Sequence, residues 1–267
     1  MSTRSVLNLT ATKKRDTMVQ FAANGANTPA GGQIGIPANP AGDTSTRVNA
    51  FVYCPSMRII AQKSNIGDRA ARTATTCFAK GFSENMTFIT SGGDSWQWRR
   101  IAFTAKGGDQ AFAYFRSTAV SGSDGALIGY TRLTRNLTGF DQPQSTAVWA
   151  NIQAILFRGT KGIDWTDAFT APIDNTRCTL RADNRTTIRS GNQNGTVRTF
   201  KKWHPINKNI VYDDEENGDD EDPRAYSVTS RAGVGDLYVI DLFKCSNPTS
   251  TDTLSWTTTG TWYWHEK

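Results

Sequence analysis

Residues 253–267 read TLSWTTTGTWYWHEK. Leu254, Trp256, Trp262 and Trp264 share one parity; Ser255, Thr257, Thr259 and Thr261 share the other. A period of two is that of an extended strand, whose successive side chains point to opposite faces. The stretch predicts a strand with indoles turned to a core and threonines turned away from it. Just upstream, 235–244 (GDLYVIDLFK) is apolar on both parities. That is the signature of a central strand buried on both faces.

The same pattern extends toward the N-terminus. Segments 46–53, 73–82, 86–90 and 96–104 are rich in β-branched and aromatic residues and separated by Gly, Asn and Asp. In 146–158, Val148, Ala150, Ile152, Ala154 and Leu156 alternate, while 148, 152, 155 and 156 also share a helical face. The strand-rich neighbourhood favours a strand here. Segment 176–190 sets Cys178, Leu180 and Ile188 against Arg177, Arg181, Arg185 and Arg189. Asn194-Gly195 is a strong tight-turn signal, expected to pair 186–190 with 196–203 as a hairpin. Residues 24–43 (NGANTPAGGQIGIPANPAGD) read as loop, and 105–145 read mostly as loops. The organisation expected is a basic arm and Gly/Pro-rich loop over 1–43 and one all-β domain over 44–267. Many short strands with turn signals between them point to a sandwich or barrel, the eight-stranded jelly roll included.

Charge is distributed unevenly. Residues 177–208 hold eight bases and one acid, Asp183; residues 213–222 (DDEENGDDED) hold eight acids and no base. The chain has 30 Lys and Arg against 24 Asp and Glu, so removing the eight loop acids leaves 30 against 16, a balance of +14. A basic body with one acidic spot suggests a polyanion partner for the body and a basic surface as partner for the spot. The acidic run imitates a calcium loop in part, but Arg224 stands where that loop needs a bidentate Glu, so no metal is expected.

The chemistry of an enzyme is not visible. There are two histidines, His204 and His265, and no GxSxG, GxxxxGK[ST] or HExxH run. Four scattered cysteines give no zinc or disulfide spacing. No cofactor is implied, and no stretch reaches membrane-spanning length. What remains is basic residues interleaved with aromatics, in SWQWRRIAFTAKG (95–107) and FKKWHP (200–205). Such sequences hold single-stranded nucleic acid by giving cations to phosphates and rings to bases. The plainer reading is that the tryptophans are core and the arginines surface.

Several runs carry a family resemblance. RTATTCFAKGFSENMTF (72–88), WQWRRIAFTAKG (96–107), RTTIRSGNQNGTVRTFKKWHPINKNIVYDDEENG (185–218) and GVGDLYVIDLF (233–243), in that order, resemble the capsid proteins of genomoviruses. These are small circular single-stranded DNA viruses known chiefly from fungi. KKRDTM (13–18) resembles the segment that follows their basic arm. The resemblance implies a single jelly roll of two four-stranded antiparallel sheets. It also implies self-assembly of about 60 copies into a small icosahedral shell around the DNA, with a life in the virion and, during assembly, the host nucleus. On that template one sheet is expected to hold 46–53, 96–104, 196–203 and 254–265, the other 73–90, 146–158, 176–181 and 236–244. That family has a longer Arg-rich arm, so packaging here is expected to fall to the shell surface or to residues preceding this sequence.

The candidate DNA contacts are Arg4, Lys13, Lys14, Arg15, Trp98, Arg99, Arg100, Arg177, Arg181, Arg185, Arg189, Arg198, Lys201, Lys202 and Trp203. The candidate subunit contacts are Asp213, Asp214, Glu215, Glu216, Asp219, Asp220, Glu221 and Asp222. Two other classes stay open: a monomeric lectin-like jelly-roll module that binds sugars without assembling, and a single-stranded DNA-binding protein that acts outside any shell.

Overall fold

The structure, a computed structural model, describes residues 10–23, 29–30, 33–39, 47–58, 60, 70–106, 118–121, 127–131, 133–138, 145–218, 220–222, 224–247 and 249–267. In chain order the elements are β1 (Thr12–Val19), β2 (Phe21–Ala23), β3 (Pro29–Ala30), β4 (Gln33–Pro37), β5 (Asn49–Tyr53), β6 (Thr76–Thr90), β7 (Trp96–Ala105), β8 (Thr118–Ser121), β9 (Leu127–Thr131) and β10 (Leu133–Asn136). Helix α1 (Ser145–Leu156) follows, then β11 (Thr179–Ile188), β12 (Val197–Val211), β13 (Glu215–Asn217), β14 (Asp220–Asp222), β15 (Asp236–Cys245) and β16 (Thr253–Glu266).

Eight of these strands make a sandwich. One sheet runs β1-β16-β6-β12, with β4 also paired to β16; the other runs β11-β7-β15-β5 and is extended beyond β5 by β10, β2 and β3. Numbered one to eight in chain order, the eight strands lie as 1-8-3-6 and 5-4-7-2, which is the jelly-roll order. The all-β, eight-stranded jelly roll expected from the sequence is the fold observed.

The strands within it differ from expectation, and for a traceable reason. Residues 12–19 are not a free arm: β1 pairs antiparallel with β16 over its whole length. Residues 33–37 are not loop: β4 pairs with β16, and Ile34 and Ile36 are buried. The boundary at 43 therefore cuts through the sandwich. Residues 146–158 are not a strand: Ala150 and Ala154 are exposed, while Val148, Ile152 and Leu156 are buried. That is the helical stripe, and it overrides the alternating one. One strand missed and one helix read as a strand cancelled in the count. They shifted three strands by one place, so β5, β6 and β7 each sit in the sheet opposite to the one expected. Residues 105–145 also hold paired strands, β8 with β9 and β10 with β5.

The core has two layers. Between the sheets, Phe51, Phe88, Trp98, Phe243 and Trp256 form an aromatic cluster, in which Trp98 stacks parallel to Phe243 at 6.2 Å. Trp262 and Trp264 fill the other end with Tyr53, Phe82 and Val239. Behind the second sheet, α1 packs Ile152 and Leu156 on Val52, Ile101, Phe103, Ile240 and Leu242. This explains why β15 is apolar on both parities. All four cysteines are buried free thiols, and burial pushes Cys77 up to about 12. The helix covers the back of the second sheet, whereas among the described residues the first sheet bears the exposed Val19, Phe78, Ile89, Val197 and Trp203 on its outer face.

Candidate nucleic-acid interface

The outer face of the first sheet is set by strand alternation. On β16 the even positions from Leu254 to Glu266 are buried, which turns Thr257, Thr259, Thr261, Tyr263 and His265 outward. On β6 the buried Cys77 and Ala79 turn Phe78 and Lys80 outward. The register then brings four strands together in rows. Lys13 lies opposite His265, His265 opposite Phe78, and Phe78 opposite Asn209. Arg15 lies opposite Tyr263, Thr17 opposite Thr261, and Trp203 opposite Ser83. The outward positions of β1, β16, β6, β12 and β4 include Lys13, Arg15, Lys80 and Lys201 and no Asp or Glu.

Aromatic rings lie among these cations. Trp203 is 46% exposed, and its ring lies over Gly81, where a Cβ would stand 2.7 Å from the indole. Its ring meets Tyr263 edge-on at 5.7 Å. Phe78 and His265 sit 5.9 Å apart. Partial burial, together with the ammonium groups of Lys13 and Lys80, holds His265 below its ordinary value. Lys80 donates to the Asn207 side chain at 2.9 Å, and Thr17 and Thr261 share a hydrogen bond of 2.9 Å. Toward the other end the face turns apolar, with Val19, Ile89 and Val197 exposed. The face thus combines cations, exposed rings and no outward acid, the chemistry that phosphates and stacked bases require.

The structure separates the sequence candidates. Lys13, Arg15, Lys201 and Trp203 come together on this face. Lys202 and Arg198 lie on the same edge strand, β12, on the alternate parity. Arg4 and Asp219 lie outside the described residues. Lys14 points inward to Glu266 at 2.8 Å and is not free for phosphate. Trp98, Arg99 and Arg100 are a correction: all three are buried, at 2%, 0% and 1% exposure. Trp98 donates to Asp241 at 2.7 Å. Arg99 holds Asp183 in a fork of 2.9 and 2.7 Å and donates to the Ala168 carbonyl. Arg100 pairs with Glu84. Alternation around WQWRR gave the correct strand, but it could not show that both faces of β7 are covered.

The arginine stripe of 177–189 is also divided. A bulge at Arg181 shifts the register of β11 against β7, so Leu180 packs toward the helix layer and Ala182 toward the space between the sheets. Arg177 bonds the Ala154 carbonyl and Asp174, and Arg185 bonds the Phe169 carbonyl at 2.7 Å. Arg189 is exposed just past the strand. This edge belongs to the second sheet, away from the rows described above.

In the acidic segment, β13 and β14 form a hairpin, pairing Glu215 with Asp222, Glu216 with Glu221 and Asn217 with Asp220. Asp213, Glu215 and Glu216 are exposed. Asp214 is a correction to the subunit-contact set. Its carboxylate forks onto Arg72 at 2.5 and 2.7 Å, both side chains fully buried, and Arg72 lies over the Tyr212 ring at 3.9 Å. Among the described residues no cluster of three or more His, Cys, Asp or Glu is placed to hold a metal ion, and no helix is long and apolar enough to cross a membrane.

Lys80, Phe78, Tyr263 and His265 were not singled out from sequence as members of the interface. Their signal was present as the outward parity of strands already recognised, but only the register reveals that they adjoin Lys13 and Trp203.

The chain matches no protein-family model and no curated protein. A solved structure, dimeric latent PorU from Porphyromonas gingivalis, aligns with 96% of this chain and 13% of its own, at 7% identity and a TM-score of 0.28.

Proposed function

We propose that this protein is a viral coat protein that self-assembles into a closed shell and packages single-stranded DNA. The observation that carries the reading is the open outer face of the first sheet, where Lys13, Arg15, Lys80 and Lys201 surround Trp203, Tyr263, Phe78 and His265 without an acid among them. The jelly roll is an architecture of viral coats and lectins. The runs that resemble genomovirus capsids fall on β6, β7, β11, β12 and β15, the framework of the sandwich. Cations on the face neutralise phosphates and release counterions, while the exposed acids Asp213, Glu215 and Glu216 meet a basic surface of a neighbouring copy.

Electron microscopy of the purified chain, with a nuclease-treated aliquot beside it, tests this. Uniform small shells are the expected result. A particle that stays small at every salt and pH yet binds single-stranded DNA with a steep salt dependence would instead make it a DNA-binding protein that acts outside a shell. Sugar binding without assembly would make it a lectin-like module.

A further inference from the structure

The basic face does not end at the sheet edge. Phe78 also lines a shallow, open cleft of about 580 Å³ with Lys106, Thr179, Lys208, Asn209 and Val234. The cleft wall is fixed: Val234 donates its amide to the Asn209 carbonyl at 2.8 Å, and Lys106 donates to the Ser230 and Ala232 carbonyls at 2.6 and 2.9 Å. Lys208 is exposed and makes no ion pair or hydrogen bond among the described residues. The lining carries two ammonium groups and no carboxylate. One wall is the partly exposed Phe78 ring, 5.9 Å from the His265 ring, which itself lies in the field of Lys13 and Lys80.

We propose that this cleft takes a single nucleotide unit, with its base against the Phe78 ring and its phosphate on Lys208. An aromatic plane, an unpaired cation and Asn209 line one pocket large enough for a nucleotide, contiguous with the basic face through Phe78. The inference rests on the reading of that face as a surface for single-stranded DNA. The unit is either one residue of a strand lying across the face or a free mononucleotide, and the same chemistry recognises both.

The test uses the full chain, titrated with a fluorescein-labelled oligo-dT over a range of salt. The variants are Phe78→Leu, Phe78→Tyr and Lys208→Gln, with Lys201→Ala as a variant of the face alone. Thermal midpoints check that each variant is folded. Phe78→Leu is expected to weaken binding roughly tenfold, as for loss of one stacked base, and Phe78→Tyr to restore it. Lys208→Gln is expected to lower the slope of log affinity against log salt by about 0.7, one phosphate contact on a single strand. Phe78 is shared by the face and the cleft, so Lys208→Gln decides: wild-type affinity and salt slope there, with weakened binding in Lys201→Ala, overturn the cleft and leave the face standing. If wild type binds no oligonucleotide, the reading of the face falls, and titration with dTMP decides the cleft alone. Saturable dTMP binding lost in Lys208→Gln assigns it to free nucleotides, and no dTMP binding overturns it.

Discussion

Arg100 on β7 crosses the sandwich to Glu84 on β6, so the two sheets are joined through their core by a buried ion pair. Glu84 also accepts from Gln20 at 2.7 Å and lies 3.1 Å from the His204 ring on β12. Arg100 further approaches Asp241 on β15 at 3.4 Å. Burial pushes Glu84 up, but Arg100, His204 and Gln20 outweigh it and hold the carboxyl below its ordinary range. A charge this deep is tolerated only because every partner is in place.

Removing one partner should therefore be severe. Arg100→Met leaves Glu84 and Asp241 as adjacent buried carboxylates with no cation between them. A loss of about 3–5 kcal/mol is expected, read as a lowered urea midpoint at pH 7.5. A shift no larger than that of an exposed-lysine variant would show that the pair does not hold the sheets together.

Asp241 makes the same network pH-dependent. Burial raises it to about 6, against the opposing pull of Arg100 and the Trp98 hydrogen bond. A carboxyl raised on folding binds its proton more tightly in the folded than in the unfolded chain. Its contribution to stability is thus present at low pH and falls as pH rises from about 4 through about 6. The unfavourable contribution at pH 7.5 amounts to roughly 2–3 kcal/mol. Asp241→Asn keeps an oxygen for the Trp98 indole and removes the titration. Between pH 7.5 and 5 the wild type should gain stability from this group and the variant should not. Chemical denaturation at the two pH values compares them, and parallel pH responses would assign the dependence elsewhere.

The same core shows how far the sequence was legible. The indole parity of β16 and the two-sided apolarity of β15 are local patterns, and both led to the observed strands. β1 was hidden because Lys13-Lys14-Arg15 reads as charge, although alternate residues there face inward to Glu266, Arg58 and the core. Asn194-Gly195 does make its turn, with Gly195 at φ 80° and no room for a Cβ against the Thr90 carbonyl. It is not a hairpin, however: β11 pairs with β7 and β12 with β6, so the turn carries the chain from one sheet to the other. A turn residue specifies local φ and not which strand lies alongside. The candidate site was legible by residue type on β1 and β12. It failed on β7, because only tertiary cover distinguishes a surface arginine from one forked onto a buried carboxylate.

The acidic hairpin combines two roles that substitution can separate. Asp214 anchors its base to Arg72, whereas Glu215 and Glu216 face solvent. Asp214→Asn should destabilise the fold by about 3 kcal/mol, since it strands the Arg72 guanidinium. Glu215→Gln with Glu216→Gln should leave stability within about 0.5 kcal/mol and weaken assembly, followed by light scattering against protein concentration. Unchanged assembly in the double variant would remove the hairpin from the subunit contacts.

The face itself gives the sharpest separation of function from folding. Lys13, Arg15 and Lys201 make no ion pair or hydrogen bond among the described residues, so each change to Ala should alter stability by no more than about 0.5 kcal/mol. Each should lower the salt slope of single-stranded DNA binding by about 0.7, and the four cations with Lys80 account for a slope of about 3. Trp203→Ala should act differently. It removes a plane rather than a charge, so it should weaken binding by about 1–3 kcal/mol and leave the salt slope unchanged. A Trp203 variant that changes the slope, or lysine variants that lower affinity equally at all salt concentrations, would mean that the face does not divide its work between phosphates and bases.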